Sequence, residues 1–570
     1  MPQYYRHGYY GYYDDVGNFV KCGRMPKVIG IKVNTDTGKS KFVLQVLYMG
    51  RYHEIEIPRE DVISRLKLLQ YAAYGLDVQE RTAVYLINAL LEIESKISDK
   101  DVMYVHNNLG WYTEENQLLF KKYETPYHNT ITSYIGQLLI QPQGSWDEYE
   151  AMLKKHVLKS PQLTFAFICG LSAAINGLSE YFCDGETIIV HFSGGSSTGK
   201  TTAVMLAIST AGEPNLAKSS LLQSWCATEN AILGSVVGNF GFPIAFDEAS
   251  AINLRDFSKI VYNLCSGKEK ARLNQDYNLV SQRGFRTTIL STGEKSLLAN
   301  CNGNGGLNVR VIEVDNVQLT QSAEEAEEIK DICQYNSGIA LDIFSDYLMD
   351  KLNNKPNFFD KILKIHRNYR EQFMQKCQQN QFTSRLAKKY ALFMLTAKLA
   401  KSALKIEIDL DALFDFIVSI DEANNNTYSR DLADEFMEKL LSLIAKDSSK
   451  FTKTTHPSVG SKIYGRLEYS KGKALNKIII PAEDFKYIVR HLFKFEDAGV
   501  IATALKAKGL LLPEDDKHDT RKMVVNAASG AVRCYVILPP VTVDKPIVDE
   551  PSCDEKTPHD DGYHDFDDLP

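Results

Sequence analysis

One run constrains this chain more than any other. "HFSGGSSTGKTT", from His191 to Thr202, matches G-x-x-x-x-G-K-[ST] at Gly194, Gly199, Lys200 and Thr201. Glycines at those points let the backbone curl until successive N–H groups face inward, the arrangement that holds phosphate oxygens. Gly194, Gly195, Ser196, Ser197, Thr198, Gly199, Lys200, Thr201 and Thr202 are therefore the candidate nucleotide-binding residues. Lys200 is placed to reach the β- and γ-phosphates of ATP, and the Thr201 hydroxyl to ligate Mg²⁺. The positive end of the following helix lies behind both. The preceding "ETIIVHF" is apolar and β-branched, as a doubly buried parallel strand is, and "KTTAVMLAIST" reads as a helix. Strand, glycine loop and helix in that order point to an α/β core.

Such a site also needs a metal carboxylate and a group that activates water. In "GFPIAFDEAS" an apolar strand, Pro243 to Phe246, ends in Asp247 and Glu248. Asp247 is expected to hold Mg²⁺ through water, and Glu248 to polarise the attacking water. A third strand, in "FRTTILSTGEKSLL", carries Ser291 and Thr292 at its carboxyl end, where α/β sheets place ligands. Either hydroxyl can face the γ-phosphate or the water; the alternative is a local backbone bond. "NGNGGLNVRVIEVD" then leads through a Gly/Asn loop to Arg310, which opens an apolar strand. An arginine near a subunit interface can act on a neighbour's γ-phosphate. Alone it would be an ordinary surface cation.

Composition bounds the rest. The 570 residues suffice for about three or four domains. Hydrophobic content of 44% and charged content of 24% are ordinary for a soluble globular protein. No long uncharged apolar run suggests a membrane span, and the Tyr-rich start lacks a signal-peptide core. A cytoplasmic location with no membrane partner is expected. The ten cysteines show no C-x-x-C pair, which argues against a zinc site or a disulfide framework. The net charge of −7 hides an asymmetry. From Asp544 onward there are ten acidic residues and two lysines; removing them from the 72 acidic and 65 basic residues leaves 62 and 63. The acidity belongs to a tail, whose composition cannot build a core. Its end, "HDFDDLP", is similar to the acidic tips by which bacterial single-strand-binding proteins recruit partners, without their terminal aromatic residue.

Along the chain, residues 1–60 read as a β-rich segment. "KVIGIKVNTDTGKSKFVLQVLYMGRYHEIEI" alternates around a turn, and the tyrosines before it fit an edge hairpin or a base-stacking surface. Residues 61–145 read as α+β, with a hairpin expected around Asn107–Trp111. The ATPase core spans 146–320, a helical region 321–425, and a mixed region 430–540. In the last, "NKIIIPAEDFKYIVRHLF", "DAGVIATALKAKGLL" and "GAVRCYVILPP" suggest helix, helix and β-wing, the outline of a winged helix. That module contacts DNA or protein, and periodicity does not choose. Residues 541–570 form the tail, expected to be disordered.

Taken together, the P-loop, "QSWCATENAI", "IAFDEAS", "SGKEKARL", "LSTGE" and "TSRLAKKYALFMLTAKLA" resemble one family. It is the P-loop family of phages and mobile elements that includes the cassette chromosome helicases, similar to AAA+ replicative helicases of the MCM type. The likeness covers about residues 60–540. It implies an α/β, AAA+ type core with an N-terminal α+β domain and a C-terminal winged-helix domain. It further implies a hexameric, ATP- and Mg²⁺-dependent helicase that acts on single-stranded or forked DNA to replicate a mobile element, with replication partners at the tail. By the same resemblance Lys200 and Thr201 match Walker A, and Asp247 with Glu248 matches Walker B. Ser291 or Thr292 takes the first sensor position, where MCM relatives commonly carry asparagine. Arg310 matches the arginine finger and Arg385 the second sensor. Such relatives insert a DNA-gripping hairpin between Walker B and the sensor strand. Here "SGKEKARLNQDYNLVSQRGFRTTIL" offers Lys268, Lys270 and Arg272 before a polar turn and Arg283 and Arg286 after it, with Lys270 and Arg272 the leading candidates. Two other functions share the site: an ATP-dependent initiator or loader that does not unwind processively, and a nucleotide-gated assembly protein.

Overall fold

The computed structural model describes residues 4–539 except 252–256, 270–282, 299–306, 308, 379–381, 428–431, 455–462, 471–474, 494, 496–497, 516–517 and 526–529. The chain divides into two units, Met1–Gln141 and Pro142–Pro570.

In the first unit a mixed sheet runs in the order Glu124–Tyr127, Thr130–Tyr134, Val102–His106, Lys27–Asn34, Ser40–Tyr48, Arg51–Pro58. The alternating run from Lys27 to Pro58 forms its antiparallel half. Helix Ala83–Glu94 buries Ala83, Leu86 and Leu90 against Phe42, Leu44 and Ile57. The tyrosine-rich opening is the hairpin Tyr9–Tyr13 with Phe19–Arg24. Tyr10 is buried, and its hydroxyl donates to the Asp77 carbonyl at 2.9 Å. The hairpin expected around Asn107–Trp111 turns elsewhere. Val102–His106 pairs in parallel with Lys27–Asn34, and the hairpin joins Leu109–Glu114 to Gln117–Lys121. Its turn is Glu115–Asn116, with φ of 47° and 67°, the left-handed pair whose twist suits a two-residue connection.

The second unit is built on five parallel strands: β1 (Ile188–Ser193), β2 (Leu222–Ser224), β3 (Ile244–Asp247), β4 (Thr288–Gly293) and β5 (Val311–Asp315). Their order is β2-β3-β4-β1-β5. Every residue of β1 and β4 is buried, as strands covered on both faces must be. Helix α1 (Pro161–Leu178) starts on Ser160, whose hydroxyl accepts the Leu163 N–H at 3.3 Å, with Pro161 in its first turn. It is buried from Leu163 to Gly177. By length and composition alone α1 is apolar enough to cross a membrane, contrary to the sequence expectation, yet 83% of that window is buried within the protein. A helix apolar on all sides belongs in a core or a bilayer, and here the sheet and neighbouring helices cover it. Helix α2 (Lys200–Ser209) follows β1, and α3 (Ala323–Tyr335) follows β5. Helices Ile339–Asn354 and Phe358–Lys376 lead to α4 (Thr383–Leu404) and then Leu410–Thr427. The α4 side chain Tyr390 donates to Asp421 at 2.8 Å, joining the last two helices inside the core.

The carboxy-terminal part holds helix Leu432–Lys446, then strand Leu475–Pro481 and a helix from Ala482 whose last turn, Ile488–Leu492, widens to π spacing. Helix Ala498–Ala507 and the pair Arg521–Val524 with Ala531–Ile537 complete it. The first third of "NKIIIPAEDFKYIVRHLF" is thus a strand, not helix. Ile478, Ile479 and Ile480 are buried, β-branched and paired with Val536 and its neighbours, and Pro481 ends the run. The acidic tail from 541 onward lies outside the described residues.

Candidate functional site

The order of the sheet decides what meets. β4 lies between β1 and β3, so three neighbouring carboxyl ends bring together the glycine loop, the Asp247–Glu248 pair and the Ser291–Thr292 pair. The loop leaves β1 with Gly194 at φ 132°, passes Ser197 at φ 65° and enters α2 through Gly199 at φ 86°. A Cβ at Gly199 would lie 2.5 Å from the Thr320 hydroxyl, and one at Gly194 would lie 3.2 Å from Asn316. Glycine at these two positions thus lets the segment after β5 pack directly against the loop. Residues after β5 brace it: Asn316 N–H donates to Ser193 O at 3.0 Å, and Leu319 N–H to Thr198 O at 2.9 Å. The Lys200 ammonium reaches back over the loop, donating to Gly194 O at 2.9 Å and Gly195 O at 2.6 Å. Ser196 is exposed, and Thr201 stands half-buried at the first turn of α2. Beside the loop lies a cavity of about 410 Å³, lined by Thr198, Thr201, Thr202, Gln318, Ser322 and Lys330 among others. That is within the size range of small-ligand sites. Gln318, Ser322 and Lys330 carry no motif; only packing brings them to the loop.

Asp247 ends β3 half-buried, and Glu248 follows, exposed, with φ 63°. A glutamate held in left-handed backbone is strained, and such strain collects where a side chain must be aimed. Thr292 makes the aim. Its hydroxyl donates to Asp247 Oδ1 and accepts the Glu248 N–H at 3.0 Å, linking both acidic residues to β4.

The structure separates Ser291 from Thr292. Ser291 is fully buried and faces the opposite way. Its Oγ accepts from Trp225 Nε1 at 2.9 Å and lies 2.8 Å from His191 Nδ1. His191 Nε2 lies 3.0 Å from the Lys295 carbonyl. A carbonyl only accepts, so Nε2 carries the proton, Nδ1 accepts and the Ser291 hydroxyl donates to it. Burial holds His191 neutral, its pKa pulled down to about 4. Ser291 is thus a core connector, whereas Thr292, also buried, is the hydroxyl that meets the Asp247–Glu248 pair.

Arg310 and Arg385 stand apart from this cluster. Both reach Glu186, in the turn before β1: Arg310 Nε lies 3.1 Å from Oε1, and Arg385 Nη2 lies 2.7 Å from the same oxygen. The buried Lys389 donates to Glu186 Oε2 at 3.0 Å and to the Val309 carbonyl at 2.6 Å. This knot sits at the amino end of the sheet. The glycine loop starts at the carboxyl end of the same strand, five residue steps or about 17 Å away. Neither arginine approaches the glycine loop.

The base of the expected hairpin is formed. Lys268 bridges Gly284 in antiparallel fashion, and Glu269 N–H donates to Arg283 O at 3.0 Å. Lys268 is exposed. Lys270 and Arg272 lie outside the described residues. Arg283 pairs with Glu269 at 3.1 Å. Arg286 is engaged structurally, donating to the Asn176 and Gly177 carbonyls at 2.8 and 2.9 Å and so capping the end of α1.

Two families match the chain. One is described as a domain of unknown function and matches residues 15–283. The other, the Cch helix turn helix domain, matches residues 431–541. A solved structure described as "SCCmec type IV Cch - active helicase" aligns with a TM-score of 0.72 at 23% identity, covering 94% of this chain and 98% of that one. The fold is thus similar to that of the Cch helicase structure, and the carboxy-terminal domain matches the Cch helix turn helix family. The A form apo structure of the NrS-1 C-terminal region aligns with a TM-score of 0.28 at 11% identity, over 89% of this chain and 96% of that one. No curated protein matches.

Proposed function

We propose that the chain is an ATP-driven, Mg²⁺-dependent DNA helicase of AAA+ type, working as a hexameric ring in the replication of a mobile element. One observation carries the reading. A single hydroxyl, Thr292, ties the metal carboxylate Asp247 and the water-activating Glu248 together on the strand beside the phosphate loop. Phosphoryl transfer needs little covalent chemistry from a protein, and its rate comes from placing charges. The roles follow. The loop from Gly194 to Thr202 cradles the triphosphate, and Lys200 leaves the Gly194 and Gly195 carbonyls to meet it. Thr201 and Asp247 are the residues to hold Mg²⁺, which when bound neutralises charge on the phosphate oxygens. Glu248 takes a proton from the attacking water while Thr292 holds its backbone in place. Arg310 and Arg385 serve the neighbouring subunit, since both lie far from their own loop. The helix-turn-helix domain supports DNA binding, and Lys268 with Lys270 and Arg272 are the cations of the channel hairpin.

Strand separation on 3′- and 5′-tailed forks, with ATP and with Lys200→Ala as control, tests this. Unwinding that needs ATP and an intact Lys200 is expected. DNA-stimulated hydrolysis without unwinding would point instead to a loader, and hydrolysis indifferent to DNA to an assembly protein.

A further inference from the structure

Glu186 belongs to no motif, yet three cations converge on it. Its side chain is 13% exposed and that of Lys389 2%. Arg385 remains 42% exposed, and the Arg310 guanidinium lies 4.7 Å over the ring of the surface residue Tyr262. The knot is layered. Lys389 closes it from the core, Glu186 stands in the middle, Arg385 is the exposed member, and Arg310, 17% exposed, lies between Glu186 and the Tyr262 ring. A purely structural ion pair would be complete with Lys389 and Glu186. One carboxylate cannot balance three cations, so what it adds is geometry. Oε1 receives both guanidinium groups, which holds two like charges side by side. Repulsion would otherwise drive them apart. The contact with Arg310 is through Nε, on the stem side of the guanidinium rather than at its tip. Lys389 also fixes the Val309 carbonyl, and with it the backbone that delivers Arg310.

We propose that Glu186 is a positioning residue for hydrolysis in the adjacent subunit, holding Arg310 and Arg385 as one paired unit that meets the neighbour's triphosphate. This rests on the reading of Arg310 and Arg385 as groups supplied in trans. A triphosphate offers several oxygens within a few ångströms, and two guanidinium groups at a set spacing engage them together. Two arginines free to swing independently would pay for ordering at each turnover. Glu186 thereby acts on a phosphate it never touches, through two side chains that it orients from behind.

The experiment uses the full chain and compares Glu186→Gln, Arg310→Ala, the double variant Arg310→Ala, Arg385→Ala, and the triple variant Glu186→Gln, Arg310→Ala, Arg385→Ala. Glutamine keeps the shape but not the charge that holds both arginines. The expected result is a fall in kcat of about 10- to 100-fold, the scale of a misplacement near 1 Å. KM for ATP should stay within about twofold, since the variant's own phosphate loop is intact. Mixing Glu186→Gln with Lys200→Ala subunits should restore hydrolysis, because mixed interfaces join a sound loop to a sound arginine pair. Adding Glu186→Gln to the double arginine variant should cost nothing further. Arg385→Gln, with Glu186 intact, repeats the kcat and mixing tests should Glu186→Gln fail to fold; wild-type turnover there, or no recovery on mixing, overturns the pairing. Wild-type kcat in folded Glu186→Gln overturns the proposal. So does absence of recovery on mixing while Arg310→Ala with Lys200→Ala does recover. If that second pair also fails in rings shown to be mixed, the trans reading falls, and the role of Glu186 falls with it.

Discussion

Thr292 and Ser291 are adjacent and both carry hydroxyls, but their surroundings give them opposite roles. The Thr292 hydroxyl spans Asp247 and the Glu248 backbone. Thr292→Val keeps the volume and removes that span. Turnover should fall about 10- to 100-fold with ATP affinity retained, as measured by steady-state hydrolysis beside nucleotide titration. Unchanged turnover would dissociate Thr292 from the carboxylates. Ser291→Ala instead strips partners from His191 Nδ1 and Trp225 Nε1 inside the core. It should cost about 1–3 kcal/mol of stability, read as a lower thermal midpoint, while the folded fraction keeps its hydrolysis rate. At the neighbouring acid, Glu248→Gln should bind ATP and fail to turn over, because Asp247 still serves the metal while water activation is lost. Hydrolysis at the wild-type rate would remove Glu248 from the chemistry. From sequence alone Ser291 and Thr292 were equivalent, because the side on which each hydroxyl meets its partners is set by strand pairing.

At the scale of elements, the pairing of β1 with β4 places His191 opposite Ser291. The histidine is neutral in the fold, its pKa pulled from 6.5 to about 4 by burial. Between those values the unfolded chain binds the extra proton and the folded chain does not, so stability falls as pH falls through the window. A shift of this size corresponds to about 3 kcal/mol. Thermal midpoints measured from about pH 7 down to 4 should therefore decline, and His191→Asn should make the decline shallower even if it lowers the starting point. His106 and His366 are shifted in the same direction, also to about 4, and add to the slope, as do carboxylates held below their ordinary range such as Asp36 beside Lys121. An unaltered slope in His191→Asn would mean that this histidine titrates normally. The basic segment between β3 and β4 makes a separate prediction. Changing Lys270 and Arg272 together to Ala should weaken DNA binding and reduce the salt slope of log affinity by roughly 1–2, while DNA-free hydrolysis survives. Wild-type unwinding by that variant would move the DNA contact to the helix-turn-helix domain. The elements themselves were mostly legible, since β1, α2 and α4 announce themselves by apolar pattern. The turn at Glu115–Asn116 and the strand at Leu475–Pro481 were misplaced. In both, the deciding factor was a pairing partner distant in sequence or a left-handed backbone that no residue type demands.

For the whole molecule, the test of assembly is complementation. Lys200→Ala and Arg310→Ala subunits, each inactive, should recover part of the hydrolysis when mixed. The separation of roughly 17 Å between the arginines and their own loop, about five strand residues, makes an intramolecular role geometrically remote. No recovery in demonstrably mixed rings would assign Arg310 to a local role. By itself the sequence determined the glycine loop between strand and helix, the acidic pair and the existence of an α/β core. Each of these is local: a glycine spacing, an apolar run ending in carboxylates, a period of two or 3.6. It also suggested the kind of carboxy-terminal domain that the Cch helix turn helix match bears out. The tertiary structure alone decided that β4 runs between β1 and β3, and hence which hydroxyl meets the carboxylates. It alone turned Arg286 inward to cap α1, and brought Arg310, Arg385 and Lys389 onto Glu186 from positions more than a hundred residues away. The reason is physical. Local patterns record what a segment does with its own backbone and its own faces. The partner of a buried charge is chosen by strand order, which no short stretch of sequence encodes.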